Sequence, residues 1–111
     1  MAADQGEPLI SSNKVFDLIE TLSELKYLFR QRMDALHTAQ VDTASLEKLA
    51  SSGGKKIVFD LEKVDYIDSS FLRLCIIASK AGPGRFTIVN VTPTVRKVLT
   101  IAGLESLAEI I

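Results

Sequence analysis

The residues with the most chemical potential are Asp68, Ser69 and Ser70, which interrupt an otherwise apolar part of the chain. A serine that follows a helix-capping aspartate exposes its hydroxyl beside backbone N–H groups that have no helical acceptor. A phosphate there adds about −1.5 to −2 charges at pH 7, and the helix dipole tolerates them. Ser69 is therefore a candidate phosphorylation site. The alternative is that small polar residues are simply favoured in a first helical turn.

Other kinds of site lack the residues that they need. The chain has one histidine, His37, and one cysteine, Cys75, so thiol–imidazole catalysis and zinc binding have no ligand set. Its six glycines form no phosphate-binding loop. Asp60, Asp65 and Asp68 could hold magnesium near a strand end, but capping and turn formation explain them as well. We expect no catalytic residue, no metal and no cofactor.

Composition limits the class of protein. The chain has 111 residues, 13 basic and 14 acidic side chains, and 47% hydrophobic residues, which is typical of a single domain with its own core. Basic residues are scattered and aromatic residues amount to 6%, so we expect no direct nucleic-acid binding. The sequence contains no signal peptide and no apolar run of roughly 18 residues, so we expect no membrane insertion. Its single cysteine suits a cytoplasmic location.

The N-terminal part predicts a flexible leader followed by a helix. Residues 1–12 are polar and include Pro8, which favours a leader. Residues 13–40 predict an amphipathic helix that packs on the sheet of the domain or serves as a homodimer seam. The apolar positions that carry this prediction follow steps of three and four: Val15, Leu18, Leu22, Leu25, Phe29 and Leu36.

From residue 41 the chain alternates helix and strand signals. Asp42 predicts a helix start, with Val41 and Leu46 in the positions of a hydrophobic staple. Glycines at 53–54 end that helix. Residues 57–61 form an apolar run that predicts a strand covered on both faces.

Two more helix starts flank one further strand. Asp68 predicts the cap of a helix that extends to Lys80, and residues 86–91 predict a strand. Thr92 caps a last helix that ends before Gly103. This βαβα order indicates an α/β domain with a parallel or mixed sheet, over residues 13–111 with its core at 41–111.

Residues 55–111 resemble the STAS domain of anti-sigma factor antagonists. The likeness rests on a strand ending in Asp60 and Leu61 and on the segments VDYIDSS, IVNVTPTV and RKVLTIAGL, with a glycine turn between the first two segments. It implies a STAS-like fold, a mixed or parallel sheet packed by helices, in which the helix at 13–40 replaces the first two strands of the family. Phe71 stands where the family usually has glycine, and Arg73 where it has a smaller residue.

The resemblance also implies a function. It points to a non-enzymatic regulator that binds an anti-sigma factor with serine kinase activity until Ser69 is phosphorylated, after which a PP2C-like phosphatase restores it. Partner contacts would come from Asp68, Ser69, Ser70, Phe71 and Arg73. An alternative is a STAS scaffold of a signalling assembly or membrane-transport complex, with Ser69 structural. A third alternative is an enzyme or ligand-binding protein that uses the carboxyl edge of the sheet.

Overall fold

The computed structural model describes residues 8–51 and 54–111. Within them, six strands form one sheet whose spatial order equals their order in the chain. Strands β1 to β3 are antiparallel and β3 to β6 are parallel. The strands are β1 (Leu9–Ser12), β2 (Phe16–Glu20), β3 (Glu24–Phe29), β4 (Lys56–Asp60), β5 (Phe86–Val89) and β6 (Glu109–Ile110).

Helices fill the connections between the parallel strands. They are α1 (Ala35–Thr38) and α2 (Thr43–Ser51) after β3, α3 (Ser69–Ala81) after β4 and α4 (Pro93–Ile101) after β5. A short 3₁₀ turn at Leu104–Ser106 leads into β6. The mixed sheet packed by helices confirms the predicted fold class.

The helix predicted over residues 13–40 is wrong, because this segment holds the β2–β3 hairpin and then α1. Asn13 begins the first turn by accepting hydrogen bonds on its side-chain oxygen from the N–H groups of Val15 and Phe16. Thr21 begins the next turn, where its Oγ1 accepts a hydrogen bond from the N–H of Glu24. Side chains that hydrogen-bond their own backbone in this way favour turns over helix.

The leader predicted over residues 1–12 is wrong for its last part. Residues 1–7 lie outside the described residues, but Leu9–Ser12 form β1, which pairs antiparallel with β2. The homodimer seam rested on the helix that the hairpin replaces, so that prediction is withdrawn with it.

The helix starts predicted from residue 42 onward are confirmed. The Asp42 carboxylate accepts a hydrogen bond from Ser45 N at 3.1 Å, and Thr92 Oγ1 accepts one from Val95 N at 3.4 Å. Val41 and Leu46 are both buried, as a staple requires. Gly103 has a φ of 79°, the left-handed conformation that glycine adopts without strain after a helix.

All three long helices pack on the same face of the sheet. Right-handed connections between parallel strands that follow one another in order put every helix on one side. Accordingly, the buried side chains of α2, α3 and α4 join one cluster with Ile57 and Phe59 of β4. Val58 points to the opposite face and lies outside that cluster, between Lys26 and Thr87 on the neighbouring strands. The strand is buried on both faces, as predicted, but the long helices pack against only one of them.

Candidate functional site

Asp68 and Ser69 form the beginning of α3. The Asp68 carboxylate accepts a hydrogen bond from Ser70 N at 2.9 Å, and the backbone carbonyl of Asp68 accepts one from Leu72 N at 3.1 Å. Ser69 is the first residue of the helix and is exposed, whereas Asp68 and Ser70 are half-buried. Among the described residues, the Ser69 hydroxyl has no hydrogen-bond partner. The serine is thus presented to solvent on a backbone that the cap holds in place.

Phe71 anchors this helix start from below. Its side chain is fully buried, and its ring centroid lies 5.3 Å from that of Phe29 and 5.9 Å from that of Phe59. The ring of Phe71 is perpendicular to that of Phe29, a favourable arrangement of two aromatic rings. The side chain of Phe71 is therefore not available to a partner, which corrects its place among the expected contacts. Its role is to fix the first turn of α3 on the sheet.

Two loops at the carboxyl ends of β3 and β4 meet beside Ser69. Met33 N donates a hydrogen bond to Tyr66 O at 2.9 Å, and Asp68 N donates one to Met33 O at 3.3 Å. Met33 and Ile67 form an isolated parallel bridge. The loop after β3 is thereby tied to the residues that precede α3, at the edge where parallel sheets commonly carry their sites.

Arg32 and Tyr66 belong to this surface, although the sequence analysis did not name them. The Arg32 guanidinium lies 4.3 Å from the centre of the Tyr66 ring, a cation–π contact. Arg32 Nε is also 3.3 Å from Asp34 Oδ2. Arg32 and Tyr66 lie far apart in the chain, and the parallel pairing of β3 with β4 brings them together. With residues 13–40 predicted as a helix, the sequence does not indicate this contact.

Asp34 caps α1 next to the same loop. Its carboxylate accepts a hydrogen bond from His37 N at 3.0 Å and lies 2.8 Å from His37 Nδ1. The backbone hydrogen bond from His37 is the main cause that holds the pKa of Asp34 below its usual value, assisted by the His37 side chain and by Arg32. This carboxylate is therefore charged at neutral pH and adds negative charge beside the start of α3.

Arg73 lies one turn after Ser69 on α3 and is exposed. Among the described residues it makes no ion pair, in contrast to Arg30, which pairs with Asp17. Residues four apart are neighbours on a helix surface. The structure therefore brings Asp68, Ser69, Ser70 and Arg73 together on one surface.

Asp60 and Asp68, two of the three aspartates that could have held magnesium, have structural partners. Asp60 is buried; its Oδ1 accepts from Glu62 N at 3.0 Å and its Oδ2 accepts from Asn90 Nδ2 at 3.0 Å. These bonds join the loop after β4 to the loop after β5. Across residues 8–51 and 54–111, no three metal-ligating side chains come together as a candidate metal site.

The cavities beside the carboxyl edge differ in size, and the one next to Gln31, Leu36 and His37 measures about 440 Å³. The cavity lined by Asp17, Arg30, Asp60 and Lys63 measures about 60 Å³, which is the volume of about two water molecules. A larger cavity of about 680 Å³ opens at the other edge, where Lys56 and Arg85 face Glu105 and Glu109. Ser69 lines none of these three cavities. Its exposed side chain is accessible to a macromolecule.

Two further observations concern reactivity and membranes. Cys75 is fully buried in α3, and burial raises the pKa of its thiol, so the nucleophilic thiolate is not accessible there. In the part of the chain that the structure describes, no helix has the length and apolar character needed to cross a membrane.

The chain thus has an α/β fold in which a mixed sheet carries helices on one face and the central helix begins at Asp-Ser-Ser. The family model of the STAS domain matches residues 17–111, so the chain belongs to the STAS domain family. The match begins inside the segment that was expected to diverge from the family. Its start near β2 agrees with the hairpin that the structure contains.

Solved structures support the same fold. An anti-sigma-factor antagonist (STAS) domain protein from Planctomyces limnophilus superposes with a TM-score of 0.75 at 18% identity, covering 90% of this chain and 91% of the other. The anti-sigma factor antagonist SpoIIAA in its unphosphorylated form gives 0.73 at 22%, covering 87% and 88%. The Bacillus cell fate determinant SpoIIAA in the phosphorylated form gives 0.67 at 22%, covering 87% and 91%. No curated protein matches the sequence.

Proposed function

We propose that this chain is a non-enzymatic, protein-binding regulator that acts as an anti-sigma factor antagonist. In its unphosphorylated form it binds an anti-sigma factor that is also a serine kinase. Phosphorylation of Ser69 ends that binding, and a PP2C-like phosphatase restores it. Support comes from membership of the STAS family and from the likeness to SpoIIAA, a protein with unphosphorylated and phosphorylated forms.

The observation that carries the proposal is the setting of Ser69. Its hydroxyl is exposed and has no partner among the described residues, at the start of a helix that Asp68 caps and Phe71 anchors. A phosphate can therefore be added there without breaking a hydrogen bond or disturbing the core. The effect of modification would be confined to the surface formed by Asp68, Ser69, Ser70, Arg73 and the nearby Arg32–Tyr66 pair.

Simple energetics make such a surface an effective switch. A doubly charged phosphate whose charge is not fully neutralised costs several kcal/mol when it is buried in an interface. A loss of about 4 kcal/mol lowers affinity roughly a thousandfold. A cytoplasmic location for the chain and its partners is part of this proposal.

The first test is phosphosite mapping by mass spectrometry on the chain purified from its native cell, followed by partner capture. Ser69→Ala and Ser69→Asp proteins serve as baits, with Thr94→Asp as the matched control because Thr94 is exposed in the first turn of α4. We expect phosphate on Ser69 and a kinase partner that Ser69→Ala and Thr94→Asp retain and Ser69→Asp loses.

The opposite result supports the scaffold alternative. If Ser69 is unmodified and all three baits hold the same partners, the chain is a STAS scaffold in which Ser69 is structural. A helix at residues 13–40 would have given such a scaffold an additional interaction surface. The β2–β3 hairpin occupies that segment, so the structure gives the scaffold no specific support.

A further inference from the structure

We propose that Arg73 is an internal receptor for a phosphate on Ser69, so that phosphorylation both adds negative charge and withdraws a cation from the partner surface. This inference rests on the proposed function and deepens it. In the unphosphorylated chain the guanidinium is free to meet a partner. In the phosphorylated chain it folds back over the first turn of α3.

Helix geometry allows this pairing. Ser69 and Arg73 are separated by four residues within the continuous helix α3 and both are exposed. Side chains at this spacing have Cβ atoms about 5–6 Å apart. Long side chains in a helix also lean toward its N-terminus, which directs Arg73 toward Ser69. The planar guanidinium can then offer two parallel N–H donors to phosphate oxygens.

Arg73 is available because no other group occupies it. Within the described residues Arg30 pairs with Asp17, Lys55 pairs with Glu20, and Arg32 lies near Asp34 and Tyr66, but Arg73 has no ion pair. Of these cations Arg32 shares the surface around Ser69, and it is already engaged by the Tyr66 ring and by Asp34.

The surrounding charges leave this pair dominant. Asp68 precedes Ser69 and Asp34 lies in the loop tied to it, and both carboxylates accept backbone hydrogen bonds. Helices α1 and α2 both pack against α3; α1 carries His37, which lies beside Asp34, and α2 carries Glu47 and Lys48, both exposed. None of these five groups lies within ion-pair distance of Arg73. Arg73 is thus the cation that helix spacing assigns to a phosphate on Ser69.

The test is a ³¹P NMR titration of the full chain with phosphoserine installed at position 69 during translation, so that neither kinase nor partner is needed. Arg73→Ala is compared with the unsubstituted chain and with Lys80→Ala, which removes an equal, exposed charge two turns further along α3. We expect Arg73→Ala to raise the second pKa of the phosphate by about 0.3 units, the effect of an exposed ion pair one turn apart. Lys80→Ala should leave it unchanged.

A second readout is the NMR signal of the Arg73 side-chain Nε–H, which we expect to shift when phosphate is present on Ser69. Equal titrations of the Arg73→Ala and Lys80→Ala proteins, together with an Nε–H signal that does not respond to phosphate, would overturn the inference. The outcome is separate from that of the proposed function, because phosphate is supplied by translation. A cell in which Ser69 stays unmodified defeats the proposed function while the titration still decides the role of Arg73.

Discussion

The starts of α3 and α4 are built alike but present different surfaces. Each helix follows a parallel strand, and each is capped by a side-chain oxygen, from Asp68 in one case and Thr92 in the other. The first helical residue is an exposed serine in α3 and a proline in α4. A proline has no hydroxyl to modify. The cap therefore sets where a helix begins, and the residue after it decides what that beginning can do.

The two starts also differ in how firmly they are held. The cap of α3 is a charged acceptor at 2.9 Å, while that of α4 is a hydroxyl at 3.4 Å. Beneath α3 lies the ring of Phe71 among other aromatic rings, whereas beneath α4 lies the smaller Val95. The helix start with the shorter cap hydrogen bond and the larger buried side chain is the one that carries the candidate modification site.

The largest expected difference between the two helix starts comes from removing the buried side chains of Phe71 and Val95. We expect Phe71→Ala to lower the free energy of unfolding by about 3–5 kcal/mol, because it leaves a cavity among the aromatic rings. Val95→Ala removes less buried volume and should cost about 2 kcal/mol. Urea unfolding followed by circular dichroism measures both. Equal costs would show that the aromatic cluster does not distinguish the two helix starts.

The caps give a smaller effect in the same direction. Asp68→Ala should lower the free energy of unfolding by about 1 kcal/mol, the usual cost of losing an N-cap. Thr92→Ala should cost less, because its hydrogen bond is longer. Thermal unfolding of both variants provides the measurement. A greater loss for Thr92→Ala would reverse the ranking proposed here.

The start of α1 extends the comparison to pH. The pKa of Asp34 is lowered in the folded protein, mainly by the hydrogen bond from His37 N. Its contribution to stability is therefore present above the ordinary pKa of 3.8 and is lost as the pH falls below that value. In urea unfolding between pH 5 and 2, we expect Asp34→Asn to make the loss of stability shallower. Glu105→Gln, at an exposed carboxylate without an ion pair in the described region, should follow the unsubstituted chain.

The smallest expected effect is that of charge on the helix starts themselves. Ser69→Asp and Thr94→Asp each place a carboxylate in a first helical turn, where the helix dipole favours it by a few tenths of a kcal/mol. Both variants should therefore unfold at or slightly above the temperature of the unsubstituted chain in a calorimetric scan. Marked destabilisation by Ser69→Asp alone would mean that charge at Ser69 disturbs the fold and not only the surface.

The sequence predicted those features whose interacting residues lie close together in the chain. The starts of α2, α3 and α4 were predicted because a cap and the N–H group that it satisfies lie within three residues. The β2–β3 hairpin was missed because apolar residues on both faces of the strands, such as Leu25 and Leu28, happen to imitate a helical spacing. The alternation of buried Leu25, Tyr27 and Phe29 carries the strand signal, and the turn residues Asn13 and Thr21 mark where the strands begin.

The candidate site was predicted only in part, for a related reason. Asp68, Ser69, Ser70 and Arg73 are near neighbours in the chain, so their proximity follows from a single helix. Arg32 meets Tyr66 through the pairing of β3 with β4, which depends on the hairpin that was missed. Because residues 13–40 were predicted as a helix, the sequence could not indicate that Arg32 lies beside Tyr66.

The equal order of strands in the sheet and in the chain has a consequence for biosynthesis. Each new strand pairs with the one made just before it, so none has to be inserted between two that are already joined. Only the β1–β2 and β2–β3 pairs close short loops, whereas each parallel pair joins segments that are separated by a helix, as Glu24 and Lys56 are. The hairpin that contains β2 and β3 therefore costs the least entropy of loop closure, and the parallel strands can be added to it in chain order.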